Sequence, residues 1–163
     1  MSLSRLEILS VRNIELAKIQ LHPGVNGVYG ENGSGKSSLL ESIYLLGTFR
    51  SFRNQHLGSG SNDQATYALV RGQLSDGGSL AVQKDRKGQR HIRIDNQAVS
   101  ASSQLAEVLP VLVFDPDTIN LVLGQSGHRR RFLNWGVFHV EHSFVENWRR
   151  TKKCALELLS WVD

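Results

Sequence analysis

The sequence has few of the residues and segments that mark secreted or membrane-spanning proteins. Its 163 residues include a single cysteine, Cys154, so no internal disulfide can form, and a lone thiol suits a reducing compartment. No apolar run approaches the roughly 20 residues that span a bilayer, and the amino terminus has no basic stretch followed by an apolar one. We therefore expect a cytoplasmic protein with one sizeable core.

Acidic residues are scarce relative to basic ones, and the imbalance is uneven along the chain. The formal net charge is +4 at pH 7. From His128 onward seven Arg and Lys residues face four acidic ones, an excess of three. Most of the excess positive charge therefore lies in the last fifth of the chain.

Glycine is concentrated in one motif that predicts a phosphate-binding loop. Residues 30–37 match the Walker A pattern G-x-x-x-x-G-K-[ST] in full. Lys36 is expected to reach the β- and γ-phosphates of a nucleoside triphosphate, and Ser37 to hold Mg²⁺ through its hydroxyl. The candidate nucleotide-binding residues are Gly30, Glu31, Asn32, Gly33, Ser34, Gly35, Lys36, Ser37 and Ser38.

The segments that flank this motif favour a ligand-binding loop over a glycine-rich turn without a ligand. Residues 25–29 are short, β-branched and aromatic, which predicts a buried strand. Residues 38–46 place Leu39, Ile43 and Leu46 on one face of a predicted helix. Strand, loop and helix in this order form the structural context that the motif requires.

Apolar periodicity and turn residues predict the remaining elements. Strands are expected over 5–11, 17–21, 66–74, 79–84 and 90–94, a central strand over 111–114, and helices over 102–109, 128–140 and 144–162. Residues 47–64, rich in Ser, Gly, Asn and Arg, predict a long exposed connection. The fold class is α/β.

Several motifs together resemble the RecF family, bacterial recombination-mediator ATPases related to SMC proteins. The resemblance covers the chain to about residue 150. It rests on Leu6-x-Ile8-x-x-Val11-Arg12-Asn13, the phosphate loop with Leu40-Glu41-x-Ile43 behind it, Arg50-Ser51-Phe52-Arg53, and Phe114-x-Pro116-x-x-x-x-Leu121-Val122-x-Gly124 followed by Arg130-Arg131-Phe132-Leu133.

The resemblance implies a P-loop ATPase head of the ABC/SMC type. Residues 1–126 would form the ATPase-type lobe, with a β-rich subdomain at about 66–99, and residues 127–163 would begin a helical lobe. It also implies ATP and Mg²⁺ as cofactors and an ATP-dependent homodimer in the full-length protein. The implied partners are RecR and double-stranded, gapped or junction DNA, in SOS-linked replication-gap repair and recombinase loading.

Two parts of a complete ABC-type site are missing from this sequence. There is no L-S-x-G-Q signature motif and no convincing Walker B strand followed by a catalytic acid. The resemblance places both in a carboxy-terminal half, so the chain looks like an amino-terminal portion. We expect no catalytic residue here, at most weak binding of Mg-nucleotide, and no meaningful turnover.

Other charged and aromatic residues leave alternatives open. Asp115, after the apolar run 111–114, is either a Mg²⁺-site acid, with Asp117 nearby, or a cap or turn acid. Arg129, Arg130 and Arg131 suit DNA phosphates, acids of a neighbouring lobe, or solvent. We expect Arg149, Arg150, Lys152 and Lys153 to be exposed to solvent. We expect Cys154 and the three tryptophans to pack against neighbouring side chains. The spacing of His139 and His142 is a weak indication of a pair of metal ligands.

Two other functions are compatible with the motifs. The chain could belong to an SMC-like or transporter-type ABC ATPase subunit, which long heptads or a transporter-coupling groove elsewhere in the protein would favour. Alternatively, it could be a non-hydrolysing DNA-binding module that retains the loop, in which case DNA affinity would not depend on nucleotide and would fall steeply with salt.

Overall fold

A computed structural model describes residues 2–53, 66–85, 87–141 and 143–159, without the side chains of residues 117, 156, 158 and 159. The chain divides into two compact units, Met1–Val113 and Phe114–Asp163. Of the connection predicted over 47–64, residues 54–64 lie outside the described residues, and residues 47 and 48 belong to a helix.

The described part of the first unit contains one antiparallel sheet and two α-helices. Its strands are β1 (Leu3–Val11), β2 (Ile14–Gln20), β3 (Tyr67–Leu74), β4 (Ser79–Asp85), β5 (Arg90–Ile94) and β6 (Gln97–Val99), and its helices are α1 (Lys36–Thr48) and α2 (Ser103–Val108). The strand order is β2-β1-β3-β4-β5-β6, with every neighbouring pair antiparallel. The predicted strands at 66–94 therefore continue the same sheet as β1 and β2. The three-residue β6 was not predicted, because it is too short to show periodicity.

Two hairpins of this sheet turn through two residues each. Between β5 and β6, Asp95 and Asn96 both adopt positive φ, 49° and 64°, as a type I′ turn requires. Between β1 and β2, Arg12 has φ 55° and Asn13 follows it. Asp and Asn tolerate this conformation, whereas an arginine adopts it at a cost of about 1–3 kcal/mol, so the surroundings must hold Arg12 in place.

The core of the first unit lies between one face of the sheet and helices α1 and α2. Alternate residues of the four central strands supply one side, because successive side chains in a strand point to opposite faces. Leu45 and Leu46 of α1 and Leu105 of α2 supply the other side. The fully or almost fully buried apolar strand residues are Leu6, Ile8, Val11, Val70, Leu74, Leu80, Val82 and Ile92.

Helix α1 contains the predicted helix 38–46 but buries a different face. Its buried residues are Ser38, Glu41, Ser42, Leu45, Leu46 and Gly47. The expected residues Leu39 and Ile43 are only partly buried against the core, and Leu46 is fully buried. The pattern of apolar residues did not predict that polar residues such as Glu41 are buried. A carboxylate is buried only when a specific partner neutralises it, and the periodicity gives no information about that partner.

Two predicted strands are wrong. Residues 25–29 and 111–114 lie in no sheet, and Val25, Tyr29 and Phe114 are largely exposed. A strand exists only where another strand accepts and donates its backbone hydrogen bonds, and no described strand lies beside either segment. Residues 109–111 instead pack on α1: a Cβ at Gly47 would lie 2.6 Å from Val111 Cγ2 and 2.7 Å from the Leu109 carbonyl oxygen.

The regular elements in the described part of the second unit are all helices. A 3₁₀ turn (Pro116–Ile119) and α3 (Asn120–Leu123) precede α4 (Ser126–Val140) and α5 (Phe144–Leu159). The helices predicted over 128–140 and 144–162 are therefore present, α4 beginning two residues earlier, while Trp161 and Val162 lie outside the described residues. Of the helices in the described ranges, none has both the length and the apolar character needed to cross a membrane.

Candidate phosphate-binding site

The predicted phosphate loop is an exposed turn that leads directly into α1. Gly30, Gly33 and Gly35 all have positive φ, 150°, 85° and 97°. Two of these positions need glycine most. A Cβ at Gly30 would lie 2.9 Å from Ser34 Oγ, and Gly35 is the residue from which the helix starts, in a left-handed conformation.

The start of α1 presents hydrogen-bond donors with no acceptor of their own. The backbone N–H groups of Lys36, Ser37 and Ser38 make no hydrogen bond to any described residue, and Gly35 provides no side-chain cap. The first intrahelical bond runs from Leu39 N to the Gly35 carbonyl oxygen at 2.8 Å. Free N–H groups at the positive end of a helix form an anion-binding site, which fits a phosphate group.

Lys36 and Ser37 lie at the junction of the loop and α1. The ammonium group of Lys36 donates to the carbonyl oxygens of Gly30 and Glu31, at 2.9 Å and 2.7 Å, and so lies across the loop. Ser37 is exposed, and its hydroxyl has no hydrogen-bond partner in the described part of the chain. These groups fit a triphosphate and its Mg²⁺: Lys36 would neutralise phosphate charge and Ser37 would supply one oxygen ligand to the metal.

Ser38, the last candidate nucleotide-binding residue, faces the protein and not the solvent. It is buried, and its hydroxyl donates to Asn13 Oδ1 at 2.7 Å. Glu31, Asn32 and Ser34 are exposed in the loop itself. Ser34 closes a turn by donating its N–H to the Glu31 carbonyl oxygen at 3.2 Å.

Asn13 holds the phosphate loop in place through side-chain hydrogen bonds, a role that the sequence did not predict. Its amide nitrogen donates to the Gly33 carbonyl oxygen at 2.7 Å while its amide oxygen accepts from Ser38. One side chain in the β1–β2 turn therefore holds both the loop and the first turn of α1. The sequence placed Asn13 at the end of a predicted strand and in a motif shared with RecF, and neither signal gives a contact.

A buried ion pair lies behind Asn13. The guanidinium group of Arg12 donates two hydrogen bonds to Glu41, at 3.1 Å from Nε and 2.8 Å from NH2, and the Ser51 hydroxyl also donates to the Glu41 carboxylate. Glu41 is fully buried and the Arg12 side chain is 16% exposed. This pair ties the β1–β2 turn to α1 and to the segment after α1. Sequence reasoning quoted all three residues without predicting the contact.

The charges of this cluster hold Glu41 in its ionised form. Burial by itself raises the pKa of Glu41, but the hydrogen bonds from Arg12 and Ser51, followed by the charges of Arg12 and Arg53, outweigh it, so the pKa lies below its ordinary value. The same hydrogen bond to Glu41 raises the pKa of Arg12. The pair is therefore fully charged at neutral pH.

Asp115 makes its described side-chain contact with Thr118. It precedes the 3₁₀ turn, and its carboxylate accepts a hydrogen bond from the Thr118 hydroxyl at 2.9 Å, while its N–H donates to the same hydroxyl oxygen. The Thr118 hydroxyl thus satisfies the Asp115 N–H, whereas the Asp115 carboxylate accepts no backbone N–H of a described residue, so the turn-acid and Mg²⁺-site interpretations both stay open. The side chain of Asp117 is outside the described part of the structure.

The arginines of the second unit are exposed. Arg129 donates to the Gly124 carbonyl oxygen at 2.9 Å and Arg131 to the Gly127 carbonyl oxygen at 3.3 Å. Arg130 makes no ion pair with a described residue, so DNA, acids of a neighbouring lobe and solvent all stay open as partners for this cluster.

Further along the second unit, the basic residues that were expected at the surface are exposed. One residue that was expected to pack is also exposed. The solvent-exposed residues are Arg149, Arg150, Lys152 and Lys153, as predicted, and also Cys154, which was expected to pack. Trp135 contacts Phe132 and His139, as a packing residue would. His142 lies outside the described residues, among which no group of three or more His, Cys, Asp or Glu is arranged to hold a metal.

Comparison with known proteins places the chain in a family. Residues 2–126 match the profile of the RecF/RecN/SMC N-terminal domain. The chain belongs to this family. It is 43% identical, over 99% of its length, to the DNA replication and repair protein RecF of Pseudomonas fluorescens and to that of Pseudomonas syringae pv. tomato, and it spans 45% of each of those proteins. The resemblance to RecF seen in the sequence is confirmed.

Solved structures confirm the fold class. The structure of the recombination mediator protein RecF with ATP superposes with a TM-score of 0.82 at 24% identity, covering 93% of this chain and 43% of that one. A structure from work on the ATP-driven dimerization of SMC ATPases superposes with a TM-score of 0.65 at 17% identity, covering 83% of this chain and 99% of that one. The α/β head of the ABC/SMC type is therefore the fold of this chain.

Proposed function

We propose that this chain is the phosphate-loop part of an ATP-dependent DNA-binding protein that acts in replication-gap repair and recombination as a recombinase-loading mediator. The observation that carries the proposal is the loop at the start of α1, where Lys36 and three free N–H groups converge. Family membership supplies the context, because the RecF relatives are DNA replication and repair proteins and a RecF structure contains ATP.

In this proposal the site binds a nucleotide, and no residue of this chain activates water. Lys36 and the helix start would bind the phosphates of ATP, Ser37 would contribute to Mg²⁺ binding, and Asn13 keeps the loop in shape. The chain lacks the L-S-x-G-Q motif, which would be supplied by a second subunit of an ATP-dependent homodimer. Nucleotide would thus join two copies, and hydrolysis in the full-length protein would release them. We assign no catalytic residue to this chain.

The remaining parts of the proposal follow from the resemblance to RecF. Residues 1–126 would be the ATPase-type lobe, and residues 127–163 would begin a helical lobe. The proposed partners are duplex, gapped or junction DNA and RecR, and the setting is the SOS response in the cytoplasm. An SMC-like role is less well supported, because the SMC structures match at 16–21% identity while the RecF relatives match at 43%.

Nucleotide binding tests the proposal directly. Titration of the chain with a fluorescent ATP analogue and Mg²⁺ should give saturable binding that is lost in Lys36→Ala. The matched control is Lys153→Ala, which removes the same charge from a side chain 79% exposed on α5 and should bind as wild type. Equal binding by wild type and Lys36→Ala would contradict the site assignment.

Turnover and DNA binding test the rest. We expect no phosphate release from ATP by the isolated chain, and ATPase activity abolished by Lys36→Ala would refute the claim that the chain lacks catalytic groups.

Labelled gapped DNA should bind more tightly with ATP than without it. DNA affinity that is independent of nucleotide would instead support the non-hydrolysing binding module.

A further inference from the structure

The face of the sheet turned away from α1 is polar and cationic. Cross-strand pairing puts five residues in one row on this face, in the strand order β2, β1, β3, β4, β5: Lys18, Glu7, Arg71, Ala81 and Arg93. The adjacent buried row, which includes Ile8, Val70, Val82 and Ile92, points to the other face, toward the core. We call the outward row and its neighbours Arg5, Gln73, Gln83 and His91 the outer sheet face.

Charge on the outer sheet face is strongly unbalanced. Glu7 is its one acidic residue among the strand positions just named, and it pairs with Arg5 at 3.1 Å and Lys18 at 3.8 Å. Arg71 and Arg93 are exposed and make no ion pair or side-chain hydrogen bond with any described residue. Four cations against one carboxylate leave an excess of three positive charges, which suits a polyanionic partner.

The spacing of the two free arginines suits a phosphate backbone. Arg71 and Arg93 are two strands apart in the same row, so their Cα atoms are separated by about 10 Å. Ala81 stands between them in the row, and both arginines line a shallow groove of about 490 Å³ on this face, together with Arg5 and Glu7. One DNA strand advances about 3.4 Å per nucleotide along the helix axis, so the two guanidinium groups can contact phosphates a few nucleotides apart.

The composition of this face argues against a covering protein layer. A sheet face that packs on a second layer is apolar, as the α1 side of this sheet is. On the outer sheet face the large apolar residues of the strands are Leu9, Leu16, Tyr67 and Leu69, which lie toward one end of the sheet, while Arg71 and Arg93 lie in the next outward row. Exposed guanidinium groups there are hydrated in the free protein and available to a charged ligand.

We propose that the outer sheet face binds the phosphate backbone of duplex DNA, with Arg71 and Arg93 as its principal contacts. This inference rests on the proposed DNA-binding function and assigns it to the sheet, not to the arginine cluster 129–131. Contacts to phosphate carry no base information, so binding through this face is independent of sequence and sensitive to salt.

The test compares variants that lose equal charge at different places. Arg71→Gln/Arg93→Gln removes the two free guanidinium groups, and Arg149→Gln/Arg150→Gln removes two exposed arginines from α5. Circular dichroism verifies that each variant folds. Affinity of the full chain for a labelled 20-base-pair duplex is measured by fluorescence anisotropy, with ATP, at several salt concentrations.

Loss of two phosphate contacts should weaken binding at least about tenfold near 0.1 M salt and make the slope of log affinity against log salt shallower by about 1.8. The α5 variant should change the slope little. If Arg71→Gln/Arg93→Gln binds as wild type while Arg129→Gln/Arg130→Gln loses affinity, the outer sheet face is not the DNA surface although the proposed function stands. If the wild-type chain binds no DNA at all, the proposed function itself fails.

Discussion

Removing the arginine of the buried ion pair should destabilise the first unit severely. In Arg12→Met the side chain keeps a similar length, but Glu41, fully buried, loses the guanidinium group that donates two hydrogen bonds to it. Removing one partner of a buried ion pair lowers the free energy of unfolding by about 3–5 kcal/mol. Arg12 is itself partly exposed, so we expect a loss of about 3 kcal/mol and a fall of roughly 6–12 °C in the melting temperature.

The pH dependence of this loss has a definite sign. In wild type the pKa of Glu41 is lowered, so its contribution to stability is complete above the pKa of the unfolded chain and disappears as the pH falls through the lower native value. In Arg12→Met the effect of burial is no longer outweighed and the native pKa should rise above the unfolded one. The native state then binds the extra proton, so stability falls as the pH rises.

Urea unfolding followed by circular dichroism at pH 5 and pH 7, with hydrogen exchange of the α1 amides, measures both effects. Arg12→Met should lose more stability at pH 7 than at pH 5, and Arg12→Met/Glu41→Gln should recover most of the loss because no buried charge remains. The control Arg5→Met removes the exposed partner of Glu7 and should change stability by less than about 0.5 kcal/mol. Equal losses at both pH values, or no recovery in the double variant, would refute this account.

Three other substitutions test the packing, the loop and a turn. Gly47→Ala should cost about 1–3 kcal/mol in urea unfolding, because its Cβ meets the rigid Leu109 carbonyl group as well as Val111. Asn13→Ala removes the support of Gly33 and Ser38 and should weaken ATP-analogue binding about tenfold without unfolding the chain; unchanged affinity would mean that the loop holds its own shape. Asn96→Ala should cost about 1 kcal/mol of stability whereas Asn96→Gly should not, since φ is 64° there.

Local signals were sufficient for the phosphate loop and for most elements. The spacing of Gly30, Gly35 and Lys36 specifies a loop that enters a helix, because positive φ and a free helix start are properties of the residues themselves. The strands β1 to β5 and the four longest helices were also predictable, since each has apolar residues at the period of its own structure or turn residues at its ends.

Features that depend on a distant partner were not predictable. The segments 25–29 and 111–114 have the composition of buried strands, yet neither has a neighbour that accepts its backbone hydrogen bonds among the described residues. The polar buried face of α1 was missed for the opposite reason: Glu41 becomes a core residue only because Arg12, 29 positions away, meets it.

The sequence by itself determined that the chain has a phosphate loop, that the loop precedes a helix, and that the motifs belong with RecF. Only the tertiary structure shows that the Asn13 side chain holds the loop. Likewise, only folding brings Arg12 to neutralise the charge of Glu41 and Ser51 to donate a hydrogen bond to it, and places Arg71 and Arg93 on the same exposed face of the sheet. The difference has a physical cause. Backbone conformation and periodicity arise from neighbouring residues, whereas hydrogen bonds, ion pairs and charged surfaces arise from residues that only folding brings together.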